Sequence, residues 1–183
     1  WTEGENLNTA GTYGYASFGI QTAAVYGGRP ADTSACEEYN GSTWTEVTGY
    51  DNARTQGGGA GTLTSGIVFG GYPLTVNAEE YDGTNWTEVA NLNAAAQQVS
   101  GHGASNTAAI AIGGLRPADA PTASKRQEEY NGTSWTELAD LNTGKYGNAS
   151  FGTSSAALAA GAPGASEGTL TEEWDGVAWT EVA

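Results

Sequence analysis

The sequence is poor in the residue types that carry most metal-binding and nucleophilic chemistry. It contains one histidine, one cysteine and no methionine among 183 residues. These counts exclude an internal disulfide, a histidine cluster and a zinc site built from several such ligands. His102 is expected to be a tolerated polar residue and Cys36 a small packed thiol. With no Gly-x-Ser-x-Gly elbow and no phosphate-binding loop, we expect no metal, no cofactor and no enzymatic activity.

Basic residues and long apolar runs are also scarce. Six Lys and Arg residues stand against 21 Asp and Glu residues, which gives a formal net charge of −15. Nucleic acids and anionic membrane surfaces are bound through basic patches, so the charge argues against both kinds of partner. No run of 18 apolar residues is present to span a membrane, and no signal peptide is visible after Trp1.

One phrase recurs four times and organises the chain. It reads Glu-Glu-aromatic, then Asn-Gly or Asp-Gly, two variable residues and Trp-Thr-Glu, and a fifth copy of its tail opens the chain. The tryptophans of these tails fall at positions 1, 44, 86, 135 and 179, with gaps of 43, 42, 49 and 44 residues. We therefore divide a single domain, 1–183, into repeats of roughly 1–48, 49–90, 91–139 and 140–183.

Each repeat predicts four short antiparallel strands, a to d. A Gly-rich strand a and an apolar strand b that ends at a Gly pair precede strand c, with Glu-Glu-aromatic, and strand d, with Trp-Thr-Glu. The Asn-Gly or Asp-Gly dipeptide between c and d is typical of a tight hairpin turn. No helical period of apolar residues is found. Four-stranded units of 42–49 residues predict an all-β fold, a small β-propeller of four blades.

The aromatic residues of the phrase are predicted to be structural and to fill the gaps between blades. In every repeat the aromatic residue of strand c and the tryptophan of strand d are five residues apart across the turn. Burying one tryptophan removes roughly 150–250 Å² from water. The residues concerned are Tyr39 and Trp44, Tyr81 and Trp86, Tyr130 and Trp135, and Trp174 and Trp179.

The acidic pair before each aromatic residue is interpreted as structural surface and not as a metal site. Neighbouring strand residues point to opposite faces, so two adjacent glutamates cannot chelate one cation together. The four pairs are Glu37-Glu38, Glu79-Glu80, Glu128-Glu129 and Glu172-Glu173.

The run from apolar residues into a Gly pair, then Tyr and Trp, resembles the kelch repeat, as in Val68 to Gly71, Tyr81 and Trp86. The motif Glu-Glu-Tyr-Asp/Asn-Gly-x-x-Trp-Thr-Glu is similar to the repeats of kelch-like proteins of marine bacteriophages and environmental bacteria. The resemblance covers essentially the whole chain and implies a propeller on a virion or on an extracellular or cell surface. The last repeat departs from the pattern at Ala160 and Trp174.

The repeat count leaves two ways to complete a ring. There are four a-b-c sets but five d-type tails, so residues 1–3 and 179–182 both suit the outer strand of the fourth blade. We expect a four-bladed ring closed within one chain. The alternative is a larger ring assembled from several chains.

The loops between strands b and c and between d and a lie on one face and hold every length difference between repeats. Variable loops on a rigid scaffold are where binding usually occurs. Arg-Pro-Ala-Asp recurs in the first and third b–c loops, and the third loop holds three of the six basic residues. The ligand-binding candidates are Arg29, Asp32, Arg116, Asp119, Lys125 and Arg126. In the alternative reading, Arg29 and Arg116 pair locally with Asp32 and Asp119.

The expected function is a non-enzymatic binding or adhesion module that recognises a glycan or a protein through this loop face. An anionic sugar would suit the basic candidates. The alternative function is a structural subunit or decoration protein of a larger assembly, which could form a larger propeller by oligomerisation.

Overall fold

The computed structural model describes residues 4–11, 16–29, 32–116, 123–161 and 168–182, with the backbone alone at positions 29, 32 and 33. Regular structure in these ranges is β-strand and turn. No helix in the described part of the chain is long and apolar enough to cross a membrane.

Sixteen strands form four sheets of four within the described ranges, and each sheet falls inside one repeat. Blades 1 and 2 consist of β1 (Ser17–Ile20), β2 (Ala23–Arg29), β3 (Asp32–Tyr39), β4 (Trp44–Val47), β5 (Gly58–Thr62), β6 (Ser65–Phe69), β7 (Ala78–Tyr81) and β8 (Trp86–Val89). Blades 3 and 4 consist of β9 (Ser100–Ser105), β10 (Ala108–Ile112), β11 (Gln127–Tyr130), β12 (Trp135–Glu137), β13 (Ala149–Thr153), β14 (Ala156–Ala160), β15 (Thr171–Trp174) and β16 (Trp179–Val182). The strands of each sheet are antiparallel and lie in chain order, which confirms the predicted four blades of a propeller.

The hairpin between strands c and d is stabilised by its own turn residues. In blade 1, Asn40 Oδ1 accepts hydrogen bonds from the backbone N–H groups of Ser42 and Thr43, both at 2.9 Å. Gly41 follows with a φ of 92°, a conformation that residues with a Cβ adopt at a cost. Asp82 makes the same bonds in blade 2, so the dipeptide fixes the turn in the way the sequence indicates.

Strand pairing gives every blade two faces of different character. In blade 1 the register aligns Phe18, Val25 and Glu38 in one row across the sheet. The next row aligns Ala24, Tyr39 and Trp44 and points to the opposite side, because side chains alternate along a strand. We call the side bearing the first row the forward face, since it packs against the next blade along the chain, and the other side the backward face.

Buried apolar clusters join consecutive blades. The cluster between blades 1 and 2 contains Phe18, Val25 and Trp86, and the next one, between blades 2 and 3, contains Phe69 and Trp135. A third cluster, between blades 3 and 4, is built around Ile110, Trp174 and Trp179. In the described residues these three clusters form the core, which therefore lies between the sheets rather than within any one of them.

Blade 4 and blade 1 do not share such a cluster within the described residues. The inner strands β1, β5, β9 and β13 pack in succession, and among the described residues β13 packs far less closely on β1 than the other consecutive inner strands do on one another. Phe151 and Leu158 on the forward face of blade 4 are 62% and 38% exposed. The four blades are as predicted, and in the described residues the junction between blades 4 and 1 is less fully packed than the other three. Closure of the ring within one chain stays a prediction.

Candidate functional site at the mouth of the propeller axis

The first glutamate of each acidic pair is buried and holds the linker that arrives from the preceding strand d. Glu79 accepts hydrogen bonds from the backbone N–H groups of Asp51 at 2.7 Å and Asn52 at 3.1 Å. Glu172 does the same for Asn142 at 2.7 Å and Thr143 at 3.1 Å. The pairs are structural as predicted, but their first members are not on the surface. Their burial is possible because the linker amides satisfy the carboxylates.

A buried cation accompanies three of these glutamates. Arg54 pairs with Glu79, Arg116 Nη1 lies 2.8 Å from Glu128 Oε1, and Lys145 Nζ lies 3.6 Å from Glu172 Oε1. The side chains of all three cations are 0% exposed. Arg116 comes from a b–c loop, whereas Arg54 and Lys145 come from linkers that follow strand d. The sequence placed Arg116 among the ligand-binding candidates and did not indicate this buried role for any of the three cations. Arg54 and Lys145 each stand ten positions after the tryptophan of strand d, whereas Arg116 lies in a loop, so two different repeat positions supply one spatial role.

Arg116 is therefore not an exposed ligand-binding residue. Its Nη1 also donates to Ala94 O at 2.8 Å, and its Nε donates to Gly113 O at 3.1 Å. The guanidinium is surrounded by protein, so a ligand at the loop surface cannot reach it. Asp119, its expected local partner, lies outside the described residues.

Lys125 and Arg126 lie at least partly at the surface and have separate partners. Lys125 is exposed and donates to Asn142 O at 2.7 Å. Arg126 lies 3.3 Å from Glu137, with side chains that are 32% and 49% exposed. Arg29 and Asp32 face each other in the pairing of β2 with β3, and their side chains lie outside the described atoms. The described cations of the third loop are thus not gathered into one site.

A cavity of about 310 Å³ lies where the four inner strands begin. Ser17 and Gly59 line it from blades 1 and 2, and the segments 98–101 and 147–151 line it from blades 3 and 4. These positions are the ends of the d–a linkers and the first residues of strand a. The cavity therefore opens at the axis on the loop face that the sequence identifies as variable.

Equivalent positions of three linkers form the rim of this cavity, which we call the axial mouth. They are Gln56, Gln98 and Gly147. Gln98 N donates to Gln56 O and Gly147 N donates to Gln98 O, each at 2.8 Å. Gln56 and Gln98 have φ values of 59° and 52°, a left-handed conformation that is uncommon for residues with a side chain. Each of the three residues stands twelve positions after the tryptophan of the preceding strand d. This spacing was available from the sequence, but a lone glutamine carries no motif, and sequence reasoning missed it.

Three residues that line the cavity each have one buried polar side-chain atom without a hydrogen-bond partner among the described residues. These atoms are Gln98 Oε1, Asn148 Oδ1 and Ser150 Oγ. Buried polar atoms are nearly always paired, with protein or with ordered water. None of the described residues that line the cavity is Lys, Arg, Asp or Glu. The polar atoms without partners at these three residues are two amide carbonyl oxygens and one hydroxyl group.

His102 lies outside this cavity, on the forward face of blade 3. The side chain is 6% exposed. Burial lowers the pKa of His102 to about 4, and the backbone of Thr153 in blade 4 opposes that shift. His102 is therefore neutral near pH 7 and belongs to the junction between blades 3 and 4. Nowhere in the described ranges do three His, Cys, Asp or Glu side chains gather as a group that could hold a metal ion.

Comparison with known proteins identifies a fold and no family. No family model matches the sequence, and no curated protein matches it. Among solved structures the chain is similar to the "Structure of YjhT", a propeller-like fold, with a TM-score of 0.73 and 14% sequence identity. The match covers 97% of this chain and 67% of that chain. At this identity the similarity shows that the chain shares a propeller-like fold, and it shows nothing about activity.

Proposed function

We propose that the chain is a non-enzymatic binding module that recognises a neutral, hydroxyl-rich ligand, such as a glycan, at the axial mouth. The observation that supports this most is that three residues lining one cavity, uncharged within the described residues, each hold a polar atom without a hydrogen-bond partner. A ligand with several hydroxyl groups can donate to Gln98 Oε1 and Asn148 Oδ1 and can exchange a hydrogen bond with Ser150 Oγ.

The cavity also has a suitable size and position for such a ligand. Its volume of about 310 Å³ is at the small end of the usual range of ligand pockets, which is roughly 300–1,000 Å³. The rim residues Gln56, Gln98 and Gly147 are linked by backbone hydrogen bonds, so the polar groups are held before a ligand arrives. Preorganised groups cost less conformational entropy on binding.

The proposal replaces the anionic sugar favoured by the loop cations with a neutral one. Arg116 is buried against Glu128, and the cavity lining is uncharged. The proposed setting remains a virion or cell surface, where such ligands are met, and this part rests on the kelch-type resemblance.

A glycan array followed by titration of the best neutral hit tests the proposal on the 183-residue chain. The informative variant is Gln98→Asn, which tolerates the positive φ and withdraws the carbonyl from the cavity. We expect binding to weaken about tenfold, because one hydrogen bond and its positioning are lost. Gln56→Asn is the matched control, since Gln56 has nearly the same φ but does not line the cavity.

Two results would contradict the proposal. One is the absence of any glycan that binds in the millimolar range or better. The other is a hit whose affinity is the same in Gln98→Asn and in the parent chain. A hit lost in a Lys125→Ala, Arg126→Ala double variant but kept in Gln98→Asn would instead assign binding to the third b–c loop.

A further inference from the structure

In the described part of the chain, the forward face of blade 4 is a complete blade surface without a neighbour. The register aligns Phe151, Leu158 and Glu173 just as it aligns Phe18, Val25 and Glu38 in blade 1. Phe18 and Val25 are 7% and 1% exposed, whereas Phe151 and Leu158 are 62% and 38% exposed. The residue types are nearly the same, so the difference in exposure comes from what covers each face.

The equivalent face of blade 1 shows which side chains of a neighbouring blade cover such a face. Trp86 of blade 2 meets Phe18 edge to face with ring centroids 6.1 Å apart. Tyr81 stacks on Trp86 and donates its hydroxyl group to Glu38. On blade 4 the corresponding groove has a volume of about 640 Å³ and is lined by residues that include Phe151, Leu158 and Glu173. The groove is therefore lined by the residues equivalent to those that receive a Tyr and Trp pair at the junction between blades 1 and 2.

Among the described residues, the backward face of blade 1 carries such a pair without another blade packed against it. Tyr39 and Trp44 are half-buried, whereas Tyr81 and Trp86 are 1% and 6% exposed. The rings of Tyr39 and Trp44 are 5.0 Å apart and inclined by 36°. These values are close to the 5.1 Å and 31° of the buried pair Tyr130 and Trp135 in blade 3. This pair, which we call the knob of blade 1, therefore already has the geometry that a junction between two blades requires.

We propose that the forward face of blade 4 binds the backward face of blade 1 of a second copy of the chain. The contact continues the interface that already joins the blades of one chain. Glu173 would accept a hydrogen bond from Tyr39, as Glu38 accepts one from Tyr81. The two faces do not meet within the described part of one chain, so a second copy can satisfy both. The contact is head-to-tail and joins different surfaces of the two copies.

The net charge of −15 opposes this association at low ionic strength. At about 0.15 M salt the Debye length is about 8 Å, and repulsion between distant charges is largely screened. We therefore expect association to strengthen as salt is raised, which is opposite to the behaviour of a contact held by exposed ion pairs.

Sedimentation velocity from low micromolar to submillimolar concentration at near-physiological salt is the test. The parent chain is expected to form dimers or longer head-to-tail species. Leu158→Lys should weaken association by about a hundredfold or more, because it would bury an unpaired charge in the contact. Val177→Lys is the matched control, since Val177 is 77% exposed in the same blade and changes the charge equally but does not line the groove.

Mixing variants tests the head-to-tail geometry. Trp44→Ala removes the knob of blade 1 and should also abolish self-association. A mixture of Trp44→Ala with Leu158→Lys is expected to form a heterodimer, because one copy still offers an intact groove and the other an intact knob. Circular dichroism checks that both variants are folded.

A parent chain that stays monomeric throughout the concentration range would overturn the proposal. So would equal association of Leu158→Lys and Val177→Lys, or a mixture that stays monomeric. These outcomes are separate from the fate of the binding cavity, because Leu158 does not line it.

Discussion

Arg116 Nη1 lies 2.8 Å from Glu128 Oε1, and the two side chains are 0% and 1% exposed where the linker from blade 2 meets blade 3. Removing one partner of such a pair leaves an uncompensated buried charge. Arg116→Ala is therefore expected to lower the free energy of unfolding by about 3–5 kcal/mol. Urea denaturation followed by tryptophan fluorescence measures this loss.

Arg126→Ala is the matched control for that substitution. Arg126 belongs to the same loop region and also pairs with a glutamate, but its side chain is 32% exposed. Exposed pairs contribute about 0–1 kcal/mol, so the variant should denature close to the parent chain. If both alanine variants lost the same stability, the structural assignment of Arg116 would be wrong.

Tyr81→Phe tests the hydrogen bond that crosses the junction between blades 1 and 2. Burial and then the hydrogen bond to Glu38 raise the pKa of Tyr81 well above its ordinary value, so the hydroxyl group stays protonated and donates. Losing a bond to a charged acceptor should cost about 1–3 kcal/mol in urea denaturation. Tyr39→Phe, the same change in blade 1, should alter stability by less than about 0.5 kcal/mol. Two variants of equal stability would argue against a specific Tyr81 contribution.

The free energy of unfolding should decrease as the pH is lowered from 7 to 5, because His102 is buried as the neutral imidazole. Its folded pKa of about 4 lies below the ordinary value of about 6.5, so the unfolded chain takes up a proton first as the pH falls. The contribution of neutral His102 is complete above about pH 6.5 and is lost as the pH falls toward 4, which amounts to about 2 kcal/mol by pH 5.

His102→Phe should remove this part of the pH dependence. Phenylalanine occupies the equivalent place in blades 1 and 4, as Phe18 and Phe151, so the substitution suits the repeat. Comparing urea midpoints at pH 7 and pH 5 separates His102 from the carboxylates, which titrate in both proteins. An equal loss of stability in parent and variant would show that His102 is not the group responsible.

The sequence determined the strands more fully than the junctions. Constant spacing between Tyr81 and Trp86 and the Asp-Gly turn between them predict a hairpin, because both signals are local. Arg116 could not be placed in this way, since its partner Glu128 becomes its neighbour only after the blades pack. The unpaired atoms of Gln98 and Asn148 depend on where four inner strands converge, and no short motif encodes that convergence. Exposure of Leu158 likewise depends on a neighbouring blade and not on its own strand.

Asp51 occupies a position where the other repeats carry asparagine, and restoring asparagine should stabilise the fold. Asn142 Nδ2 donates to Glu172 Oε2 at 3.0 Å and to Trp179 O at 2.8 Å, and Asn93 makes the corresponding bonds in blade 3. An aspartate cannot donate either bond and brings a second carboxylate toward the buried glutamate, here Glu79. Asp51→Asn is therefore expected to raise the free energy of unfolding by about 1–2 kcal/mol, as two modest hydrogen bonds would.

The reverse change, from asparagine to aspartate at the equivalent position of blade 4, is the internal control for Asp51→Asn. Asn142→Asp should destabilise blade 4 by a similar amount, because it removes the two donors and adds a like charge beside Glu172. Urea denaturation of the two variants should then give shifts of opposite sign. Shifts of the same sign, or no shift in either protein, would mean that the backbone N–H groups alone hold these linkers. Opposite shifts would show that the asparagine side chain contributes to each junction, and that blade 2 is held less firmly by its linker than its neighbours are.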